Sequence, residues 1–304
     1  MLWYESFDRE VADHLPEAAI SADEPLARHC SFRIGGPARR MAFPATSGEL
    51  VMLDKIGRAC HARPLVLGNG TNVLFPDEGL DRLVISTRDL GRMERTGETE
   101  IRAEAGLSLA RLAVFAQQNE LTGLEFAHGI PGSVGGAVCM NAGAYGGELK
   151  DVLVGAQVWF PEDGVRFLNV DELELGYRHS ILTEQPDAVV LYAVFHLEKG
   201  DGAVIRAKMD ELMARRKASQ PLEYPSAGST FKRPTGYFAG ALIEQAGLKG
   251  FSVGGAQVSP KHAGFVINTG NATSADVKAL IAHIQKKVLE KDGVLLEPEV
   301  RIID

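Results

Sequence analysis

The chain has 304 residues, a formal net charge of −8 and a sequence pI near 5.6. That length exceeds a typical single domain and implies two or three, with ample chain for sizeable cores. The acidic balance excludes a nucleic-acid or anionic-membrane surface as the main business of the protein, and leaves room only for a local basic pocket.

The N-terminus, MLWYESFDREVADHL, carries acids early and has no basic start followed by an apolar run, so it does not read as a signal peptide. Residues 7–20 have the spacing of an amphipathic helix, broken over 22–26 by Pro25, and SFRIGG (31–36) then leads through a Gly-Gly-Pro turn into an extended run. The spacing of Leu50, Leu53, Ile56 and Ala59 predicts a helix over 47–61 with Thr46 or Ser47 as N-cap. It feeds an apolar strand, Leu65 to Leu67, that runs into Gly68, Asn69, Gly70, Thr71 and Asn72. A strand entering such a loop is how backbone N–H groups come to cradle a phosphate, but residues 73–76 read as extended, not helical, and by itself the motif favours a plain turn between strands.

Residues 81–105 read as short strands in hairpin-like order, and Ser108 predicts the cap of a helix reaching Asn119. The stretch 123–147 then holds eight glycines, and from Phe126 to Gly147 it has no Asp, Glu, Lys or Arg. An uncharged run of that length raises a membrane span, but so many glycines and Pro131 would leave backbone groups unsatisfied in lipid. The remaining reading is a buried, irregular backbone in close approach to something large and flat: either a bound cofactor or a tightly packed chain crossing.

Three further apolar runs, VLVGAQVWF, GVRFLNV and AVVLYAVFHLE, read as antiparallel strands, with ELGYRHSIL (174–182) lying among them. Residues 204–216 have a helical pattern ending in the basic run 215–217, which suits a helix C-terminus. The last segment opens with QPLEYPSAGSTFKRP (220–234), continues with a short helix over 236–247 and FSVGGAQVSPKHAGFVIN, and then a long helix capped by Thr273 or Ser274 and ended by Gly293. The closing VLLEPEVRIID alternates as an edge strand. Cys30, Cys60 and Cys139 are an odd number at spacings that suit neither a zinc site nor a disulfide framework, so no metal and a reducing cytosol are expected.

SFRIGG, LGNGTNVLF (67–75), GIPGSVGGAVCMNAGAYG (129–146), YRHS (177–180), PSAGSTFKRP (225–234), GGAQVSPKHAGFVIN (254–268) and LEPEV (296–300) occur in this order. Together they resemble the UDP-N-acetylenolpyruvoylglucosamine reductase (MurB) family, from about residue 25 to the last residue. The resemblance implies an α+β protein. Its FAD-binding domain, of the vanillyl-alcohol-oxidase (PCMH) type, comes in two α+β parts, here 1–78 and 79–203, and a C-terminal α+β substrate domain covers 204–304. It implies a cytoplasmic monomer that uses NADPH to reduce non-covalently bound FAD, and then reduces the enolpyruvyl ether of UDP-N-acetylglucosamine to UDP-N-acetylmuramate. Covalent attachment through His128 or Cys139 is the alternative mode of flavin binding in this fold.

In that reading the FAD site takes Arg33 and Gly35, the loop Gly68, Asn69, Gly70, Thr71 and Asn72, and the core Gly129, Ile130, Pro131, Gly132, Ser133, Gly135, Gly136, Asn141, Gly143, Ala144 and Tyr145. Asn141 either bonds the ring edge or stabilises its own loop, and Tyr145 either flanks the cofactor or fills core. The family's catalytic positions fall on Arg178, Ser229 and Glu299. Arg178 would stabilise an enolate-like charge and Ser229 would donate the proton. Glu299 would act protonated or hold Arg178 in place. Tyr177, Lys217, Arg233 and His262 are the substrate-binding candidates, with Lys217 equally a solvated helix end. Arg233 and His262 stand where relatives carry Asn or Gln, which predicts more cationic substrate contacts. The 50 residues between Arg178 and Ser229 (229 − 178 − 1) leave little room for the Tyr-bearing lid loop of some members, which implies the subclass that lacks it. The two rival readings are another flavin oxidoreductase of the same fold and a non-catalytic nucleotide-binding protein.

Overall fold

The computed structural model describes residues 2–304. Among them are seven α-helices: α1 (Trp3–His14), α2 (Ser47–Ala59), α3 (Leu109–Gln118), α4 (Val134–Met140), α5 (Gly202–Ser219), α6 (Ala239–Gln245) and α7 (Ser274–Asp292). The chain divides into two compact units, each assembled from three segments. The first takes Met1–Ala22, Arg40–Asn69 and Arg82–Arg215; the second takes Asp23–Arg39, Gly70–Asp81 and Arg216–Asp304.

The first unit is built on a five-stranded antiparallel sheet in the order Gly164–Asn169, Leu153–Phe160, Val189–His196, Glu100–Glu104 and Met93–Arg95. Helices α3 and α4 supply Leu109, Leu112, Ala113, Val134, Ala137 and Val138 to the core over this sheet. Ser108 caps α3, its side chain accepting from Arg111 N at 3.3 Å. A second core joins Phe7 and Val11 of α1 to Leu50, Leu53 and Ile56 of α2, whose cap is Thr46, accepting from Glu49 N at 3.1 Å. Beside it lies a sheet in the order Ile20–Pro25, Pro37–Ala42, Leu80–Ser86 and Leu65–Leu67.

Three expectations for this unit are corrected. Helix α1 stops at His14, not Ile20, because Pro16 disfavours a helical residue before it, and Ile20 opens a strand instead. Residues 80–86 join no hairpin with the strands that come after them; they pair in parallel with Leu65–Leu67. Leu83, Val84, Ile85 and Ser86 are all buried in succession, the pattern of a strand covered on both faces. The glycine-rich stretch is not irregular throughout, since Val134–Met140 forms α4. Its first-turn N–H groups have partners outside the helix ladder: Val134 N donates to Leu107 O at 2.8 Å, Gly135 N to Ala105 O at 2.8 Å and Gly136 N to Ser133 Oγ at 3.4 Å.

The second unit packs α7 through Val277, Leu280, Ile281, Ile284 and Val288, all buried. Thr273 and Asp276 form a reciprocal cap at its start, and Gly293 ends it in the left-handed conformation at φ 68°. A three-stranded antiparallel sheet runs Ser252–Val253, Ala256–Val258, Val266–Asn268. The C-terminal segment is extended as expected, but only Arg301–Ile302 pairs as strand, in parallel with Val73–Leu74. Among the described residues no helix is long and apolar enough to cross a membrane.

Candidate active site

In the first unit the two glycine motifs meet. A Cβ on Gly68 would lie 2.4 Å from Ser133 Oγ, so the loop after Leu65–Leu67 approaches the cap of α4 more closely than a side chain allows unless the Ser133 hydroxyl turns away. Behind this contact Thr87 N donates to Leu67 O at 2.9 Å, and Thr87 and Ser133 are both buried. The charge-free run nevertheless reaches the surface: Pro131, Gly136, Tyr145 and Gly146 are exposed, while Gly129, Ile130, Gly132, Gly143 and Ala144 are half-buried. A glycine-lined, uncharged backbone surface of this kind accepts a flat ring system, because no side chain stands between ligand and chain. The N–H groups of α4's first turn are used within the protein.

The YRHS turn is tied to the far end of α4. Gly176 and His179 exchange two backbone hydrogen bonds, of 3.1 and 3.3 Å, and Tyr177 and Arg178 form the tip. Arg178 sits at φ 54°, a conformation that costs an ordinary residue about 1–2 kcal/mol and persists only where its surroundings enforce it. Three contacts enforce it. Ser180 Oγ donates to Cys139 O at 2.7 Å, Asn141 Nδ2 donates to Gly176 O at 3.0 Å, and Arg178 Nη1 reaches Gly143 O at 3.5 Å. Asn141 is 1 % exposed, and its Oδ1 accepts from Lys150 N at 3.0 Å while Nδ2 also reaches Glu148 Oε2 at 3.0 Å. Its amide is therefore engaged in holding the loop. Two cation–ring pairs lie in the same unit, Arg178 over Tyr177 at 5.4 Å and Arg215 over Tyr145 at 5.1 Å. Sequence motifs name Arg178, Asn141 and Gly143; they contain Ser180 without giving it a role, and they leave out Glu148 and Arg215.

The second unit gathers most of the remaining candidates. Ser31 Oγ donates to Ser226 O at 2.6 Å and Asn268 Nδ2 to Phe32 O at 3.1 Å, which joins SFRIGG, with Arg33 and Gly35, to the PSAGS segment. Thr230 N donates to Gly264 O at 2.9 Å, Glu299 N to Thr230 O at 2.8 Å, and Lys232 N to Glu297 O at 2.9 Å. The residues after Ser229 thus run beside LEPEV, and Glu299 is bonded to Thr230, the residue that follows the exposed Ser229. Asn72 Nδ2 donates to Glu299 O at 3.1 Å, which ties the end of the glycine loop to the same segment. Gly70, at φ 61°, has no room for a side chain, since a Cβ would meet His29 O at 2.1 Å.

The outlying candidates are more dispersed. Arg233 lies 4.0 Å from the ring centre of the exposed Phe238. His262 packs edge-on to Phe265 at 5.1 Å and accepts from Gly264 N at 3.1 Å through Nδ1. Burial pushes its pKa down, so it presents a neutral ring at neutral pH and not the cation expected of it. Lys217 O accepts from Lys261 Nζ at 2.7 Å.

Comparison with known proteins identifies the family and the fold. Residues 38–167 match the FAD binding domain family, and residues 220–303 match the UDP-N-acetylenolpyruvoylglucosamine reductase C-terminal domain family. The UDP-N-acetylenolpyruvoylglucosamine reductase of Caldanaerobacter subterraneus subsp. tengcongensis is 51% identical, over 97% of both chains. That of Levilactobacillus brevis is 50% identical over 97% of this chain and 96% of its own. The crystal structure of UDP-N-acetylenolpyruvylglucosamine reductase (MurB) from Thermus caldophilus superposes with a TM-score of 0.79 at 34% identity, covering 95% of this chain and 99% of that one. The fold is accordingly the expected α+β FAD-binding one with a C-terminal α+β domain, and the cofactor is FAD. With half its residues shared over nearly the full length of both relatives, the chain belongs to the UDP-N-acetylenolpyruvoylglucosamine reductase family, FAD-containing oxidoreductases of peptidoglycan precursor synthesis.

Proposed function

We propose that this chain, as a cytoplasmic monomer, takes reducing equivalents from NADPH and reduces UDP-N-acetylglucosamine enolpyruvate to UDP-N-acetylmuramate, with Arg178, Ser229 and Glu299 as its catalytic residues. The observation that carries the reading is the enforced left-handed turn that holds Arg178 beside Gly143, at the edge of the charge-free glycine surface. The glycines of 129–146 and the approach of Gly68 to Ser133 fit FAD, which when bound supplies a hydride to one carbon of the enolpyruvyl group.

The protein supplies the rest. Arg178 stabilises the negative charge that develops on the substrate, and its planar donors suit a carboxylate in two places. Ser229 delivers the proton to the neighbouring carbon. Being exposed, after Gly228 whose Cβ direction is open, it has the access this requires. An aqueous hydroxyl is a poor acid, so this works only with Ser229 held about 3 Å from the carbon and its own charge relayed away. Glu299, whose backbone N–H donates to Thr230 O, is assigned to that relay through a water. Lys232 is already paired with Glu297 at 3.3 Å and is less suited. Tyr177, Arg233 and His262 remain as substrate contacts, Arg233 as a cation and His262 as a neutral hydrogen-bonding ring. Lys217 is the diphosphate candidate. Arg33, Gly35 and residues 68–72 are assigned to the nucleotide part of FAD.

The test separates the half-reactions anaerobically. Ser229→Ala is expected to let NADPH bleach the flavin at near the native rate, yet to slow reoxidation by substrate by several orders of magnitude, while Ser229→Cys recovers part of that loss. Equal slowing of both half-reactions, or of neither, would move the proton donor elsewhere, to a water held by Glu299 first.

A further inference from the structure

Glu148 belongs to none of the family's motifs, yet it touches two of the residues that hold the Arg178 turn, Asn141 and Gly143. Its strand, Gly147–Glu148, pairs antiparallel with Gly143–Ala144, placing Glu148 opposite Gly143. A Cβ on Gly143 would meet Glu148 Cγ at 2.8 Å, so the carboxylate stem packs against the residue whose carbonyl Arg178 contacts. The carboxylate accepts from Asn141 Nδ2 at 3.0 Å and pairs with Lys150 Nζ at 2.9 Å. The second Nδ2 hydrogen of Asn141 goes to Gly176 O, the base of the Arg178 turn, and Oδ1 takes Lys150 N. These partners leave only one way round for the amide, with nitrogen towards Glu148 and Gly176.

Charge adds to geometry. The Arg178–Gly143 contact of 3.5 Å is at the long limit for a hydrogen bond and does not by itself fix a guanidinium. A carboxylate in the same small cluster adds an attraction between opposite charges that needs no direct contact. The influence is mutual: the Glu148 carboxyl is held below its usual range first by Lys150, then with contributions from Asn141 and Arg178.

We propose that Glu148 is a positioning residue for the reduction, setting the place of the Arg178 guanidinium through Asn141 and through its own charge. This rests on the reading of Arg178 as the cation that faces the substrate.

Four variants of the FAD-loaded enzyme test it: Glu148→Gln, Arg178→Ala, the two combined, and Glu148→Ala. Gln keeps an acceptor for Asn141 and removes only the charge. Glu148→Gln is expected to keep its flavin content and melting temperature, reduce its flavin with NADPH at the native rate, and lose about tenfold in reoxidation by substrate. Glu148→Ala, which also frees Asn141, is expected to lose about a hundredfold there, as for a catalytic group displaced by about 1 Å. In the Arg178→Ala background, Glu148→Gln is expected to have no further effect, because a residue that acts through Arg178 has nothing left to position. A native substrate half-reaction in Glu148→Gln overturns the proposal, as do losses that multiply in the double variant or a parallel loss of both half-reactions with the flavin. If Arg178→Ala itself reoxidises at the native rate, the role of Arg178 falls first, and that result is separable from any behaviour of Glu148.

Discussion

Asn141 allows the stability of the candidate site to be worked out from its contacts. Its side chain, 1 % exposed, makes three hydrogen bonds of 3.0 Å, two to neutral backbone groups and one to the Glu148 carboxylate. Taking about 1 kcal/mol for each neutral bond and about 2 kcal/mol for the charged one, truncation to Ala removes about 4 kcal/mol and leaves Lys150 N and Gly176 O without that partner. The backbone adds to this, since Asn141 ends α4 at φ 40° and ψ 59°, where Ala is worse than Asn or Gly by about 1 kcal/mol. Asn141→Ala is therefore expected to cost about 5 kcal/mol and Asn141→Gly about 4 kcal/mol, the reverse of the helix-interior order, in which Ala is better by about 1 kcal/mol. Asn141→Asp places a second carboxylate against Glu148 and is expected to be no better than Ala. The assay is urea unfolding at saturating FAD, followed by far-UV circular dichroism at low temperature, because a loss of this size consumes much of a typical total stability of about 5–15 kcal/mol. An Ala variant within about 1 kcal/mol of the native protein, or a Gly variant less stable than Ala, would refute the reasoning.

What the sequence makes legible is local. Thr46, Ser108, Thr273 and Gly293 bound their helices in the structure as their chemistry predicts, because caps act over three or four residues. What it hides depends on partners far along the chain. The parallel pairing of Leu80–Ser86 with Leu65–Leu67 leaves no periodic trace, since a strand buried on both faces has none. Glycines at 135 and 136 argue against a helix by propensity. The helix forms because Leu107 O, Ala105 O and the Ser133 hydroxyl take its first N–H groups. A reading in chain order can only cut the chain into successive pieces, at 78/79 and 203/204, whereas residues 23–39 and 70–81 fold with 216–304. The bonds that gather them, Phe32 with Asn268 and Asn72 with Glu299, span more than 200 residues. At the site, a family resemblance points to Arg178, Ser229 and Glu299. It gives no role to Glu148 or Ser180, whose part is to hold other residues, and says nothing of the burial that keeps His262 neutral.

Two further outcomes are expected. The Asp276 carboxyl is held below its ordinary pKa by the backbone N–H groups of Thr273 and Gly255, so its folded value is lower than its unfolded one. The stability it contributes is present above about pH 4 and lost as pH falls through the folded value, and Asp276→Asn should flatten the acid limb of an unfolding-midpoint curve; identical limbs in the two proteins would show that the cap carries no such contribution. The approach of Gly68 to Ser133 makes a sharper claim, because the obstacle is a single hydroxyl: a Cβ on Gly68 would be 2.4 Å from Ser133 Oγ but 3.5 Å, an ordinary contact, from Ser133 Cβ. Ser133→Ala gives up the α4 cap, at about 1 kcal/mol. Gly68→Ala must rotate the same hydroxyl off the cap, at a similar cost, offset by about 0.4–1 kcal/mol from the restricted unfolded chain, since the backbone here is not left-handed. In the double variant the cap is lost only once, so adding Gly68→Ala to Ser133→Ala is expected to be neutral or slightly stabilising, with a coupling of about 1 kcal/mol measured by a double-mutant cycle. Costs that simply add would mean that the loop and the cap of α4 do not share that hydroxyl, and the close approach on which the cofactor surface depends would have to be made by the backbone alone.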